Sequence, residues 1–228
     1  MKVLVFGVMS VFLALLGYNI YEFIKKKWFS FDRKQYLQLV DYLDYSPEVR
    51  DYLWRNFRAK LSPLSTYNKK AEPVSAGGLR IKAANDDDLA KIRENLPKEY
   101  LVFIADFDKK QKSVGIIKGY DKYLILKNMQ TSGGDQQLTT GRLVNELKTL
   151  ERSYPFSIIG ANHDYVELEF HTVPEDIDSL LVKLQKICPE QLSDMEQVSA
   201  AKQEIQDTKR VFLWWAKPSF EQLVADSQ

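Results

Sequence analysis

The chain has 228 residues, of which 45% are hydrophobic and 28% charged, enough for one ordinary domain and an accessory segment. Its single cysteine, Cys188, excludes an intrachain disulfide and a zinc site built from several cysteines. The net charge of +1 is unevenly spread: residues 25–70 hold eleven Lys or Arg against five Asp or Glu, which leaves 71–228 at −5. An acidic domain argues against nucleic acid as a partner.

An apolar segment opens the chain. Residues 3–24 are long enough to cross a hydrocarbon core of about 30 Å once, and Lys25, Lys26 and Lys27 follow directly. A cleaved signal peptide is the alternative, but its positive cluster would precede the apolar run, and no small-residue cleavage site is present. Because positive residues favour the cytoplasmic side, residues 1–24 are predicted to be a single-pass anchor with the C-terminal domain in the cytoplasm. A periplasmic domain is the alternative.

The anchor implies two lipid contacts. Residues 3–24 would lie in the bilayer, and Lys25, Lys26 and Lys27 would meet anionic lipid headgroups.

Two helices and a linker are predicted next. Apolar residues recur at helical spacing over 32–45 and 46–61, and the second helix opens with a serine N-cap followed by proline. We expect residues 25–61 to form a basic juxtamembrane helical hairpin that packs on itself or on the domain. A basic amphipathic element on the membrane or against a partner is the alternative. Residues 62–78 are rich in Pro, Ser and Gly, without periodicity, and residues 62–84 are predicted to be a linker.

Residues 85–228 are predicted to form an α+β domain. Asn85 caps a short helix with an acidic first turn, an interpretation favoured over a cation site. Strands over 100–106 and 113–118 form a hairpin, and Tyr123–Met129 is predicted to be a third strand. The later elements are a helix at 140–153, strands at 156–161 and 165–171, helices at 175–187 and 194–207, and a strand at 210–216. Counted from Tyr123, this order predicts a ferredoxin-like split βαβ mixed sheet, extended by the N-terminal hairpin.

Several separated motifs indicate a family. They are Gly160-Ala161, Asp164-Tyr165-Val166-Glu167, Pro174 with Asp176, Cys188-Pro189, and Leu213-Trp214-Trp215. With them, residues 85–217 resemble the bacterial domain-of-unknown-function 4253 family. Relatives carry a Gly-containing turn after the Cys-Pro-acid motif, where this chain has residues 193–196 without glycine. The family has no established activity, so the resemblance implies a fold and no reaction. A bacterial source would make the predicted membrane the inner membrane.

Polar residues of the strand at 165–171 are the first candidate site. Strict alternation places Glu167 and Glu169 on one face, about 7 Å apart. That separation suits acid/base work, although a solvated strand face is the commoner meaning of the pattern. His163 and Asp164 form the adjacent histidine–acid pair, and Asp164 is expected to stabilise the turn by accepting backbone N–H bonds.

No cofactor or metal is expected. His163 and His171 would lie ~26 Å apart along an extended strand, too far to share an ion. Gly133-Gly134 lacks the Lys-Ser/Thr of a phosphate-binding loop. Trp214 and Trp215 should point to opposite faces of the sheet, so that one is expected in the core and the other is a candidate anchor for a partner.

Two functions of different class follow. The first is a membrane-anchored, non-catalytic interaction or regulatory module, of which an immunity protein is one example. It would bind a basic protein through Glu167, Glu169, His163, Asp164, Trp214 and Trp215. The alternative is a hydrolase-like enzyme that uses the acidic pair Glu167 and Glu169 with His163. The sequence favours the first, because it holds no nucleophile–base pair or phosphate loop.

Overall fold

The computed structural model describes residues 32–68, 72–108, 111–133 and 138–215, which form an α+β fold around one seven-stranded sheet. The helices are α1 (Arg33–Tyr42), α2 (Pro47–Phe57), α3 (Asp86–Asn95), α4 (Tyr123–Met129), α5 (Thr140–Glu151), α6 (Ile177–Ile187) and α7 (Met195–Thr208). The strands are β1 (Leu61–Tyr67), β2 (Pro73–Ala84), β3 (Tyr100–Asp108), β4 (Gln111–Lys118), β5 (Phe156–Ala161), β6 (Tyr165–Phe170) and β7 (Arg210–Trp214). Across the sheet the order is β1-β2-β4-β3-β5-β6-β7, and β3 and β5 run parallel while the other neighbours run antiparallel.

The predicted membrane anchor lies outside this description. Residues 3–24 and the three lysines at 25–27 are not among the described residues. Within the part of the chain that is described, no helix is both long and apolar enough to cross a bilayer.

Capping side chains fix the starts of the helices. Ser46 accepts a hydrogen bond from the backbone N–H of Val49, with proline at the first helical position, as predicted. Asn85 and Asp88 cap α3 reciprocally, with distances of 2.7 and 3.2 Å. Asp88 also pairs with Lys60 at 2.7 Å. Asn85 and Asp88 together thus cap α3, as expected.

The prediction of a linker over 62–84 is wrong, because most of this segment belongs to β1 (Leu61–Tyr67) and β2 (Pro73–Ala84). The two strands pair with each other, and β2 also pairs with β4. Pro63 lies in an edge strand and Pro73 at the first position of a strand, two places where a missing N–H is tolerated. Gly78 is required by close packing, since a Cβ there would lie 2.4 Å from the carbonyl oxygen of Ile116. The Pro and Gly residues of this segment are therefore accommodated within the strands and do not indicate a linker.

The predicted strand over Tyr123–Met129 is also wrong, because this segment is the helix α4. Tyr123, Leu126 and Met129 recur every third residue and are buried on one side, as in a helix. β4, which precedes α4, already pairs with β2 on one edge and β3 on the other. Without a strand at 123–129, the ferredoxin-like split βαβ arrangement is not formed.

The remaining predicted elements are confirmed, with shifted ends. The hairpin of β3 and β4, the strands β5, β6 and β7, and the helices α5 and α7 lie where the sequence predicts them. α6 begins at Ile177, two residues later than expected, because Asp176 is its N-cap and accepts a hydrogen bond from Ser179 N at 2.9 Å.

Helices cover both faces of the sheet, but unequally. One buried cluster joins the sheet to α4–α7, and its members include Leu147, Leu150, Ile158, Val166, Leu168, Leu181 and Leu184. A second cluster joins α1–α3 to strands β1–β4. The tyrosine Tyr45 ties α1 and α2 to the sheet through its hydroxyl, which donates to Ile116 O at 2.6 Å. The predicted helical hairpin thus packs on the domain. Among the described residues, β5–β7 contribute none to this second cluster.

Candidate functional site

The uneven cover leaves part of one sheet face accessible. We call this part the open half-face; it consists of Tyr165, Glu167, Glu169, Arg210, Phe212 and Trp214. The intervening residues Val166, Leu168, Val211 and Leu213 point to the α4–α7 core. The predicted alternation of β6 is therefore confirmed. Tyr165 is buried, Arg210 is exposed, and the other four residues of the open half-face are half-buried.

Glu169 is compensated by Arg210. The two residues are direct neighbours across β6 and β7. Nε and Nη2 of Arg210 both donate to Oε1 of Glu169, at 2.9 and 2.8 Å. Hydrogen bonds between a guanidinium and a carboxylate are among the stronger side-chain contacts. Glu169 is thus held in place and its charge is balanced within the protein.

Glu167 lies in a different environment. Its partner across the β5–β6 hairpin is Gly160, and a Cβ at that position would lie 3.1 Å from Oε2 of Glu167. Gly160 thereby leaves the space that the carboxylate occupies. Oε2 is buried and has no hydrogen-bond partner. Burial raises the pKa of the Glu167 carboxyl above its ordinary value.

Charged groups from several elements face Glu167. They are Arg210 on β7, Lys112 on β4, Glu169 on β6, Glu204 on α7 and Arg93 on α3. The two glutamates oppose ionisation of Glu167 and the basic residues favour it, but burial outweighs both influences. The open half-face is thus an area of mixed charge in which one carboxylate lacks a partner.

Aromatic rings lie beside the charged residues. The rings of Tyr165 and Phe212 stack with centroids 4.9 Å apart and an interplanar angle of 27°. The Tyr165 hydroxyl donates to Ile104 O at 3.0 Å, and this hydrogen bond holds the Tyr165 ring in place. Trp214 follows Phe212 on the same side of β7. Together these rings give the open half-face an apolar patch next to Glu167.

The two tryptophans, Trp214 and Trp215, differ less in burial than predicted. Trp215 packs against the α4–α7 core and donates through Nε1 to Ile187 O at 3.2 Å. Trp214 belongs to the open half-face. They point to opposite sides, as expected, but both are half-buried, so neither is a full core residue.

Sequence reasoning missed Gln191, which completes the outer edge of β7. Its Nε2 donates to Phe212 O at 2.6 Å and its Oε1 accepts from Trp214 N at 3.1 Å. Cys188 adds a contact from Sγ to Trp214 O at 3.1 Å, and burial raises the pKa of its thiol to about 11. At neutral pH Cys188 is therefore a protonated thiol and a poor nucleophile.

The turn between β5 and β6 holds the predicted His163 and Asp164. The expectation that the Asp164 side chain stabilises the turn is wrong. Instead Oδ1 of Asn162 accepts from the backbone N–H groups of Asp164 and Tyr165, at 2.8 and 3.2 Å. The His163 ring packs edge-on against Tyr67, with centroids 5.7 Å apart, and its Nδ1 lies 3.8 Å from Asp164 Oδ1.

A serine–histidine contact was also missed. Ser157 Oγ lies 3.3 Å from His171 Nε2 on exposed surface. Ser157 is paired with Glu169 across the hairpin, so His171 is its diagonal neighbour. The described residues contain no group of three or more His, Cys, Asp or Glu that could hold a metal ion.

A seven-stranded mixed sheet with helices on both faces places the protein in the α+β class. Residues 113–216, the C-terminal part of the chain, match the family described as a domain of unknown function, DUF4253. The expected resemblance is thereby confirmed for β4–β7, where Gly160, Glu167, Gln191 and Trp214 all lie. No curated protein and no solved structure matches the chain.

The segment that departs from the expected family pattern starts a helix. Asp194 accepts a hydrogen bond from the backbone N–H of Gln197 at 2.8 Å and caps α7. An aspartate cap thus stands where a Gly-containing turn was expected.

Proposed function

We propose that the protein is a membrane-anchored, non-catalytic binding module whose open half-face contacts a basic protein partner. The observation that carries the proposal is the combination on one accessible sheet face of Glu167, which lacks a partner at Oε2, with the half-buried rings of Phe212 and Trp214. Aromatic anchors surrounded by polar groups are typical of the energetic centre of protein interfaces. The net −5 of residues 71–228 favours a partner of opposite charge.

The membrane part of the proposal rests on the sequence of residues 3–24 and the lysines Lys25–Lys27. α1 begins at Arg33, six residues after Lys27, and six residues of any conformation span at most about 20 Å. The anchor would therefore hold the domain close to the headgroups. We propose the inner membrane of a bacterium, with the domain in the cytoplasm.

An immunity-type role is one form of this proposal, in which the module binds a harmful basic protein and blocks it. The hydrolase alternative has less support. Glu169 is engaged by Arg210, and the His163 ring packs against Tyr67. An acid/base pair would need both carboxylates free to exchange protons.

The experiment uses the full chain in nanodiscs that contain anionic lipid. Candidate basic proteins are captured at low and high salt, and capture is repeated with Trp214→Ala and with Glu167→Gln/Glu169→Gln. We expect binding that weakens with salt and is lost in these variants. Tyr120→Ala is the matched control, because Tyr120 is 79% exposed and lies outside the open half-face. Turnover of a hydrolysable substrate that the double variant abolishes, with no partner captured, would contradict the proposal.

A further inference from the structure

The helical hairpin of α1 and α2 has two distinct ends. The rings of Tyr36 and Trp54 lie with their centroids 4.9 Å apart, and Asp41 forms an ion pair with Arg50, so the two helices run antiparallel. The start of α1 and the end of α2 therefore lie at the same end of the hairpin, and the connection between the helices lies at the other.

The two ends differ in charge. We call the first the basic end; it consists of residues 32–37 and 52–60, which hold five Lys or Arg and one Asp. The opposite end, residues 38–51, holds one Arg and four Asp or Glu. That end is tied to the sheet, where Asp44 pairs with Lys118 on β4 at 2.7 Å. An anionic surface would therefore attract one end of the hairpin and repel the other.

Three cations of the basic end lack an acidic partner. Arg33, Lys34 and Arg58 are exposed, and no carboxylate among the described residues pairs with them. Arg33 and Lys34 open α1, and Arg58 directly follows α2, so the packing of the hairpin brings them to one end. Leu37, one turn further along α1, is 39% exposed and adds an apolar side chain beside them.

Acidic groups around the basic end are engaged elsewhere. Asp32 is the N-cap of α1. Asp51 lies 3.7 Å from Arg55, and Asp88 on α3 pairs with Lys60 at 2.7 Å. The three unpaired cations therefore keep their charge available to an anion from outside the protein.

We propose that Arg33, Lys34 and Arg58 bind the phosphate groups of anionic lipids, so that the basic end of the hairpin stands on the membrane surface. The inference rests on the proposed function, because the anchor brings Arg33 to within about 20 Å of Lys27. Guanidinium and ammonium groups both pair with phosphate oxygens. Lys and Arg side chains are attracted to an anionic leaflet, and the attraction falls off within a Debye length.

This contact would fix the orientation of the whole domain. The apolar sides of α1 and α2 belong to the cluster that joins α1–α3 to the sheet, so the hairpin cannot turn independently of the sheet. A lipid contact at its basic end would hold the sheet at a set angle to the membrane. The lysines at 25–27 alone would leave the domain free to rotate about the segment that follows them.

The test measures the distance of a fluorescent label from the lipid headgroups. The full chain is placed in nanodiscs of neutral phosphatidylcholine, or of phosphatidylcholine with phosphatidylserine, and both contain lipid with a nitroxide quencher on its headgroup. Ala59→Cys carries the label at the basic end, and Ala200→Cys carries it on α7, where both alanines are exposed. Cys188 is buried and its raised thiol pKa, about 11, keeps it from competing for the label.

The label at residue 59 should be quenched more strongly in anionic than in neutral nanodiscs. Arg33→Gln/Lys34→Gln/Arg58→Gln should reduce the quenching to the neutral level, and high salt should do the same without any substitution. The charge-conserving Arg33→Lys/Arg58→Lys should remain quenched as in wild type. The label at residue 200 should respond little to lipid charge, because α7 packs on the other face of the sheet.

A control variant removes the same charge elsewhere. Arg152→Gln/Lys186→Gln/Lys209→Gln alters three exposed cations outside the hairpin and should leave the quenching at residue 59 unchanged. Quenching at residue 59 that is equal in neutral and anionic nanodiscs, or that both triple variants reduce equally, would overturn the inference.

Flotation with vesicles separates this inference from the proposed function. If the chain inserts into the bilayer but quenching at residue 59 ignores lipid charge, the inference fails and the proposed anchor stands. If the chain does not insert, yet floats with phosphatidylserine vesicles and loses this binding in the Arg33, Lys34 and Arg58 variant, the inference stands and the anchor fails. A chain that neither inserts nor floats contradicts both.

Discussion

Gln191 pairs with Trp214 as a neighbouring strand would. Its side-chain Oε1 accepts from Trp214 N at 3.1 Å, while Nε2 donates to the carbonyl oxygen of Phe212, two residues earlier in β7, at 2.6 Å. β7 is an edge strand, and unpaired edges invite association with other chains. One side chain therefore blocks the strand edge that borders the open half-face.

Gln191→Ala should destabilise the protein by about 1–3 kcal/mol, because two backbone groups of β7 lose their partners. Denaturant unfolding measures the change, and light scattering should show more self-association. Gln203→Ala is the control, since Gln203 bonds only Asp207 on the exposed side of α7. Equal stability of the two variants would mean that Gln191 does not protect the edge.

Leu168→Asp should prevent folding, because it places an unpaired charge in the α4–α7 core, where Leu168 has no exposed surface. We expect a loss above about 4 kcal/mol, seen as the absence of a cooperative thermal transition. Val182→Asp introduces the same charge on α6, where Val182 is 56% exposed, and should change stability little. A soluble Leu168→Asp protein with a cooperative transition would show that β6 faces the other way.

Glu167 should make stability depend on pH in a definite direction. Burial raises the folded-state pKa of this carboxyl, so the folded protein binds the proton more tightly than the unfolded chain. Wild-type stability should therefore fall as pH rises through that pKa, and Glu167→Gln should remove this loss. Melting temperatures from acidic to neutral pH should show the variant gaining over wild type as pH rises. A difference in melting temperature between variant and wild type that stays constant with pH would contradict a raised pKa of Glu167.

Cys188 should resist alkylation in the folded protein. Its thiol pKa of about 11 leaves on the order of one thousandth as thiolate at pH 8. Iodoacetamide labelling followed by mass spectrometry should be slow in buffer and fast in denaturant. Rapid labelling of the native protein would indicate an activated thiol, and with it a catalytic role.

The orientation of the anchor can be tested with a reporter that is active only in the periplasm, fused after Gln228. The lysines at 25–27 predict that it stays silent, and replacing all three by glutamine should raise its activity. Strong activity of the unaltered fusion would show that the domain lies in the periplasm. A mature N-terminus near Tyr18 would show that the apolar segment is cleaved and does not anchor the protein.

Local signals in the sequence were sufficient for the helix caps and for the two faces of β6. Ser46, Asn85 and Asp176 cap residues only three positions away, and the alternation of β6 is read within one strand. Such features depend on neighbours in the chain, so a single sequence carries them.

Features that depend on distant partners were missed. β2 is mistaken for part of a linker because its Pro and Gly content hides pairing with β4, whose partner residues lie 28 to 37 positions away in the chain. The short apolar run of α4 fits a strand or a helix until its neighbours are known. The position of Glu167 opposite Gly160 depends on the register of β5 against β6, including the irregularity between Ile158 and Gly160.

The parallel junction between β3 and β5 has a kinetic consequence. Ile104 can meet Gly160 only after the chain from β4 to β5, with α4 and α5, has closed into one long loop. Gly160 and Glu167, in contrast, belong to a hairpin whose strands are joined by a short turn, and such hairpins close within microseconds. The contact between Gly160 and Glu167 would therefore form early in folding, before the two parts of the sheet are joined.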